Sequence, residues 1–452
     1  MPPDPLDRTL AWPLIDRPAA EVICRREGRA ITVGQLLAEA AALAARLPAV
    51  AEAHAINLCA DRYRMLVGFV AALLRGHVTL LNADASPARL RALAAPHASA
   101  YVLADGAELG ALPMPVIQLG EEPAAAGPIP PIPAIPLDRI VAVGFTSGST
   151  AEPTAHPKPW GALVAAAGAA AERFALRAGE GPPATILATV PPQHMYGFET
   201  TIMLPLQAAV ATHAGASFFP CDVLDALAAL PPRRLLVTTP LHLRALLAEG
   251  RRPAPLEAVI SATAPLAAGI AAAVERDWQA PMLEIYGATE AGSMASRRTV
   301  LEADWLPYRG VACQGDGVLV PGLGEVRLGD LLEAGPDGRF RLLGRRSDMV
   351  KLAGRRASLA DLNRRLLEVE GVRDGVFVAP ADIERNPAAR LAAYVVAPGR
   401  SAGEILAGLR ARLEPLFLPR PMWLVPSLPR DRLGKLSQRA LSELCLATAR
   451  GG

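Results

Sequence analysis

The amino-acid sequence predicts an α/β fold: a large N-terminal domain of layered α/β subdomains, followed by a smaller α+β domain. Three observations predict it. Helical periods alternate with short β-rich runs from residue 30 onward, the pattern of α/β layering. The chain has 452 residues, half of them hydrophobic, more than one ordinary core uses. After Arg345-Arg346 the alternation restarts in a shorter unit. The boundary is placed at Arg346–Asp348, giving expected domains 1–346 and 347–452.

The first β-type runs are Val78–Leu81 and Tyr101–Leu103, and the apolar stretch Met65–Leu74, bounded by Arg64 and Arg75, reads as a core helix. Pro128 to Pro136 follows; it is expected to stay out of any sheet as an extended surface connector. Ile140–Phe145 is an apolar strand that runs straight into Thr146-Ser147-Gly148-Ser149-Thr150. Beyond Pro157 and Pro159, the apolar residues Trp160, Leu163, Val164, Ala167, Ala171 and Phe174 fall on one face of a helix whose first turn suits proline. The Ser/Thr/Gly segment is therefore expected between a strand and a helix. Further strands are expected at Ala184–Val190, Leu235–Thr238, Ala258–Ser261 and Met282–Tyr286. Gly324–Glu333 and Arg339–Gly344 flank a Gly335-Pro336-Asp337-Gly338 turn and read as a hairpin. The shorter unit shows a helix near Leu359–Glu368, strands at Gly375–Val378 and Leu391–Val396, and a helix near Ala402–Leu413.

Composition excludes several classes. The 46 basic and 44 acidic side chains nearly cancel and are scattered, so no field favours nucleic acid. Cys24, Cys59, Cys221, Cys313 and Cys445 lie far apart without metal spacing and read as reduced, buried thiols of a cytoplasmic protein. The N-terminal residues lack the basic-then-apolar order of a secretory signal. No segment has the length of uninterrupted apolar sequence that a membrane span needs.

Small residues after a strand let backbone N–H groups approach a polyphosphate, and the hydroxyls of Thr146, Ser147, Ser149 and Thr150 add donors. Alone, such a loop also fits a plain surface turn. Four further segments follow in order: Tyr286-Gly287-Ala288-Thr289-Glu290; Leu328-Gly329-Asp330; Gly344-Arg345-Arg346-Ser347-Asp348 with Lys351 and Gly354; and Pro429 through Gly434-Lys435. With these the chain resembles the adenylate-forming superfamily of acyl-CoA synthetases, aryl-acid ligases, carrier-protein adenylation domains and luciferases, over about residues 140 to 440.

The resemblance implies ATP-dependent activation of a carboxylic acid as acyl-AMP, release of pyrophosphate, and passage of the acyl group to a thiol. Tyr286 would offer a ring face to adenine, with Thr263-Ala264-Pro265 on the other face. Thr289 would donate to the α-phosphate, and Glu290 would be a hard oxygen ligand for Mg²⁺. Asp330, an acceptor-only carboxylate, suits the ribose hydroxyls, and the hairpin brings it near Arg345; a surface ion pair between them is the alternative. Lys435 is the candidate catalytic residue: a lysine bridging carboxylate and phosphate oxygens offsets the repulsion of two anions in the transition state. The small domain would then rotate about Ser347 and admit the thiol.

The chain departs from the family where the phosphate loop normally continues Thr-Gly-x-Pro-Lys. Ala151 and Thr154 stand at the glycine and lysine positions, and a second Pro-Lys ends in Lys158, which is expected to supply the missing cation or leave phosphate binding weaker. Ser347 replaces an acidic hinge residue. Gln193-His194-Met195-Tyr196-Gly197 resembles the family segment that places an aromatic gate beside the carboxylate. The resemblance implies His194 as that gate and, with Tyr196 and the small residues Ala288, Ala291 and Gly292 near the pocket floor, favours an aromatic or unsaturated acid, while a fatty acid stays open. The acceptor is coenzyme A or an acyl carrier protein, with a slight tilt to the carrier. A degenerate member that binds nucleotide without turnover is the competing reading.

Overall fold

The computed structural model describes residues 11–106, 109, 112–120, 129–146, 154–177, 183–215, 219–314, 317–352, 355–380, 383, 386, 389–430, 436 and 438–451. Two sheets dominate the larger part. One has six strands in the order Thr154–Pro159, Ile140–Thr146, Val78–Leu80, His54–Asn57, Ala100–Ala104, Val116–Gln118, parallel except for the first pair. The other has nine. Its parallel centre runs from Met282–Ala288 through Leu256–Ser261, Arg234–Thr238, Ala184–Ala188 and Val210–His213 to Val22–Arg26.

Local chemistry explains the helices. Thr32 and Gln35 form a reciprocal cap on Val33–Arg46, Asp61 accepts from Arg64 N to start Arg62–Arg75, and Gly76 at φ 84° ends it. The apolar run around Met65–Leu74 is this helix, buried on nearly every side. It packs with Val33–Arg46, Trp160–Arg173 and Phe198–Leu206 into the largest apolar cluster; Phe69 meets Phe198 edge-on at 5.0 Å. Arg62 ties this layer to the second sheet. Its guanidinium donates to the carbonyls of Ala188 (2.5 Å), Val190 (2.7 Å) and Gly215 (2.7 Å).

Three expectations need correction. The proline-rich stretch does join a sheet: Ala134–Pro136 pairs with Ala11–Pro13 in a two-stranded ribbon, where a missing N–H can face outward. Thr154–Pro159 is a strand antiparallel to Ile140–Thr146, so the Ser/Thr/Gly segment joins two strands and the helix begins only at Trp160. Its prolines are tolerated because that strand is the sheet edge. Gly324–Glu333 is not one strand. Gly324–Arg327 pairs with Gly317–Val320, and Asp330–Ala334 alone pairs with Phe340–Arg345.

From Met349 onward, the short hairpin Met349–Leu352/Arg355–Ser358 precedes helix Leu359–Leu367 and a three-stranded sheet of Asp374–Val378, Ala392–Val396 and Met422–Leu424. These, with helix Ala402–Arg410, close over their own apolar cluster, whose fully buried members lie between Val350 and Leu418. Among the described residues no helix is long and apolar enough to cross a membrane. The cysteines are all free; Cys24 and Cys59 are buried as expected, but Cys221 is exposed.

Candidate active site

Alternation along the edge strand Thr154–Pro159 turns His156 and Lys158 inward while Ala155 and Pro157 face out. Thr146 ends the neighbouring strand, and its Oγ1 lies 3.0 Å from His156 Nε2. Opposite His156 sits Gly144. A Cβ there would stand 2.9 Å from Thr289 Cγ2, so the absent side chain lets the Thr289 turn lie directly on the strand that feeds the Ser/Thr/Gly loop. Ser147, Gly148, Ser149, Thr150 and Ala151 lie outside the described residues, as do Gly354, Gly434 and Lys435. Ser347 falls in the single 3₁₀ turn Arg346–Asp348 between the two hairpins.

Tyr286 and Asp330, distant in sequence, meet here. The Tyr286 hydroxyl donates to Asp330 Oδ2 at 2.8 Å, while its ring is buried between Trp305 (5.5 Å) and Phe340 (5.7 Å). Hairpin register pairs Asp330 with Arg345, and Arg345 Nε stands 3.6 Å from Asp330 Oδ1 on an exposed side chain. Burial pushes the Asp330 carboxyl up, against the pull of Tyr286 and Arg345, with the nearby Glu290 and Asp348 adding to the rise. Thr263 holds a positive φ of 79°, uncommon for a β-branched residue, and its buried Oγ1 has no partner among the described residues. Gly287 is exposed at a bulge in the strand, beside Ala288.

The Thr289–Ser293 turn is held from two sides by buried charges. Lys158 is only 1 % exposed, and its Nζ donates to the Glu290 carbonyl at 2.8 Å. Burial lowers its pKa to about 8, opposed by Glu199 and Glu290. The second Pro-Lys thus delivers its cation to the backbone of the turn. Three residues on, Glu199 accepts from Ser293 N with both carboxylate oxygens at 3.1 Å and from the Ser293 hydroxyl. Burial raises the Glu199 carboxyl, and those hydrogen bonds and Lys158 draw it back. Sequence reasoning did not assign Glu199, Ser293 or His156 to the site. An acid inside the otherwise uncharged run from Met195 to Ala211 was the available signal.

Of the expected carboxylate pocket, Ala288 is half-buried, Ala291 is buried, and Gly292 faces Glu199. Tyr196 is buried and spends its hydroxyl on the Ile260 carbonyl at 3.0 Å, whereas His194 stands at the N-cap position of the short helix Met195–Phe198 without a side-chain bond to its first turn. A small cavity lies beside this turn, lined by Glu199, Thr200, Ser293 and Tyr308 and by alanines of helix Trp160–Arg173. The described residues contain no group of three or more metal-ligating side chains. The Glu290 carboxylate has no hydrogen bond or ion pair among them. A lone uncommitted carboxylate fits Mg²⁺, which takes most of its oxygens from phosphate and water.

The profile of the AMP-binding enzyme family matches residues 12–328. A 4-coumarate–CoA ligase of Halorhodospira halophila is 30% identical over 308 residues, covering 64% of this chain and 73% of that protein. Surfactin synthase subunit 3 of Bacillus subtilis is 34% identical over 122 residues, 27% of this chain and only 9% of that much longer protein. ATP-bound MatB from Rhodopseudomonas palustris has the same fold, with a TM-score of 0.78 at 21% identity over 95% of this chain and 96% of that one. With the ordered motifs of the sequence, these matches establish that the chain belongs to the AMP-binding enzyme family of adenylate-forming ligases.

Proposed function

We propose that this protein activates a carboxylic acid with ATP, forming acyl-AMP and pyrophosphate, and then passes the acyl group to a thiol. The observation that carries the reading is the meeting of Tyr286, Asp330 and Arg345 beside the Thr289–Glu290 turn, which itself lies on the strand leading to Thr146. Asp330 would accept from the ribose diol, and Thr263, with its unspent hydroxyl, would border adenine together with Ala264 and Pro265. Thr289 and the Thr146–Thr150 loop would donate to phosphate oxygens. Glu290 would hold Mg²⁺, which neutralises phosphate charge when bound.

In the adenylation half, Lys435 would bridge the attacking carboxylate and the α-phosphate. Residues 347–452 would form a separate mobile domain pivoting at Ser347. The relatives named as 4-coumarate–CoA ligases support an aromatic or unsaturated acid. The acceptor is a pantetheine thiol, on an acyl carrier protein in preference to free CoA.

Carboxylate-dependent ATP–pyrophosphate exchange across a panel of aryl, enoyl and fatty acids tests the first half. Exchange with an aryl or enoyl acid, lost by on the order of 10²–10³ in Lys435→Ala, is the expected result. ATP binding without exchange for any acid would instead mark a nucleotide-binding member without turnover. Repeating the productive reaction with CoA and with holo carrier protein identifies the acceptor.

A further inference from the structure

The turn that carries Thr289 and Glu290 is gripped at two points by buried charges of opposite sign. A cation, Lys158, sits on the Glu290 carbonyl; an anion, Glu199, sits on the Ser293 amide. Each charge meets the end of the peptide dipole that attracts it. The two grips come from different layers. Lys158 stands on the edge strand of the six-stranded sheet, whereas Glu199 opens the helical segment Glu199–Met203 in the large core, and the turn itself belongs to the nine-stranded sheet. Gly292 makes the second grip possible. It holds φ 80°, and a Cβ there would stand 2.7 Å from Glu199 Oε1.

We propose that Lys158 and Glu199 are a pair of positioning residues that fix the Thr289–Glu290 turn against the phosphate-binding hairpin, a role that rests on the nucleotide-activating function proposed above. The two side chains form no direct ion pair within 4.0 Å among the described residues, so they act on each other across the turn. Burying two charges is costly unless each is compensated. Here the compensation is the turn itself, which explains why a lysine almost wholly removed from solvent ends on a backbone carbonyl. Losing either grip frees one end of the turn and leaves the other charge poorly compensated. The pair should therefore behave as a unit.

The test is a double-mutant cycle on the full chain with Lys158→Met, Glu199→Gln and the double variant, plus Lys158→Arg. In ATP–pyrophosphate exchange, each single variant should lose at least about tenfold in kcat, in the range for residues that orient a ligand-bearing group. KM for the carboxylic acid should stay within about twofold. The double variant should lose no more than the worse single one, and Lys158→Arg should recover part of the loss. Hydrogen–deuterium exchange on the nucleotide-free protein supplies an independent readout: amides of 289–293 should exchange at least about tenfold faster in each single variant. Multiplicative kinetic losses, or unchanged exchange in 289–293, would overturn the proposal. If the Met and Gln variants do not fold, Lys158→Arg and Glu199→Asp carry the same comparison. Absence of exchange activity in the wild type with every acid would defeat the proposed function, while the deuterium arm would still decide the clamp.

Discussion

Arg62 and Arg364 carry the same guanidinium in opposite settings. Arg62 is 3 % exposed at the joint between the two large sheets, and it answers three carbonyls with no carboxylate in direct contact among the described residues. Arg364 lies on the surface of helix Leu359–Leu367, its side chain 54% exposed, paired with Asp361 and with Glu368 at 2.8 Å. Burial pushes Arg62 down to about 10 against the pull of Asp61, a cost that its carbonyl partners offset. The difference teaches that an ion pair on the surface is a poor guide to where charge matters in this molecule. At Arg62, as at Lys158 and Glu199, a buried charge ends on backbone carbonyls or amides.

Removing a buried grip should therefore be expensive. Arg62→Met leaves the carbonyls of Ala188, Val190 and Gly215 without their donor, and we expect a loss of about 3–5 kcal/mol in urea unfolding. A loss below about 1 kcal/mol would place Arg62 with Arg364 and dissolve the contrast.

Asp330 sharpens the comparison, because there burial works against stability. A carboxyl raised in the folded state binds its proton more tightly than in the unfolded chain. Its penalty is absent below the ordinary value of 3.8 and complete once pH exceeds the folded pKa. Asp330→Asn should thus be more stable than the wild type at pH 7, with an advantage that fades as pH falls toward 3.8, while ATP affinity drops by about tenfold. Thermal unfolding over that range and ATP titration measure both; a variant less stable at pH 7 would contradict it. His77 and His213 show the opposite sign. Burial lowers both imidazoles, so they stay neutral in the fold, and stability should decline as pH falls below about 6.5, through the folded pKa. Urea midpoints at pH 7 and 5.5 for wild type and His77→Gln test this, the variant losing less on acidification.

Much of this was legible in the sequence, for physical reasons. Apolar strands, the Pro336-Asp337 turn and the order of motifs are local signals, and the hairpin alone predicted that Asp330 would face Arg345, as its register shows. The Thr154–Pro159 strand was missed because its two prolines argue against a strand unless the edge position is known, and edge position is a property of the whole sheet. The grip of Lys158 on Glu290 spans 132 residues and ends on a carbonyl, which no side-chain pattern announces. Glu199 stands alone as an acid in an uncharged run, but its partner Ser293 lies 94 residues away, beyond the reach of any local pattern.

The smallest effect belongs to the surface. Asp361 joins Arg364 and Arg365 in the first turn of its helix; partial burial would raise its carboxyl, but the hydrogen bonds from both arginines outweigh that and hold it below the ordinary carboxylate range. A carboxyl lowered in the fold contributes stability above its unfolded pKa and loses it as pH falls through the folded one. Solvent screens most of that gain, because Asp361, Arg364 and Arg365 are 38%, 54% and 40% exposed at their side chains. Asp361→Asn should therefore cost no more than about 1 kcal/mol at low salt, including the lost first-turn charge that favours the helix N-terminus. Added salt should erase the difference, since the pairs lie within reach of counterions. The deficit of Arg62→Met should persist in the same salt, because no ions reach a guanidinium that is already enclosed by carbonyls. Should both deficits fall together with salt, burial would not be what separates the two arginines.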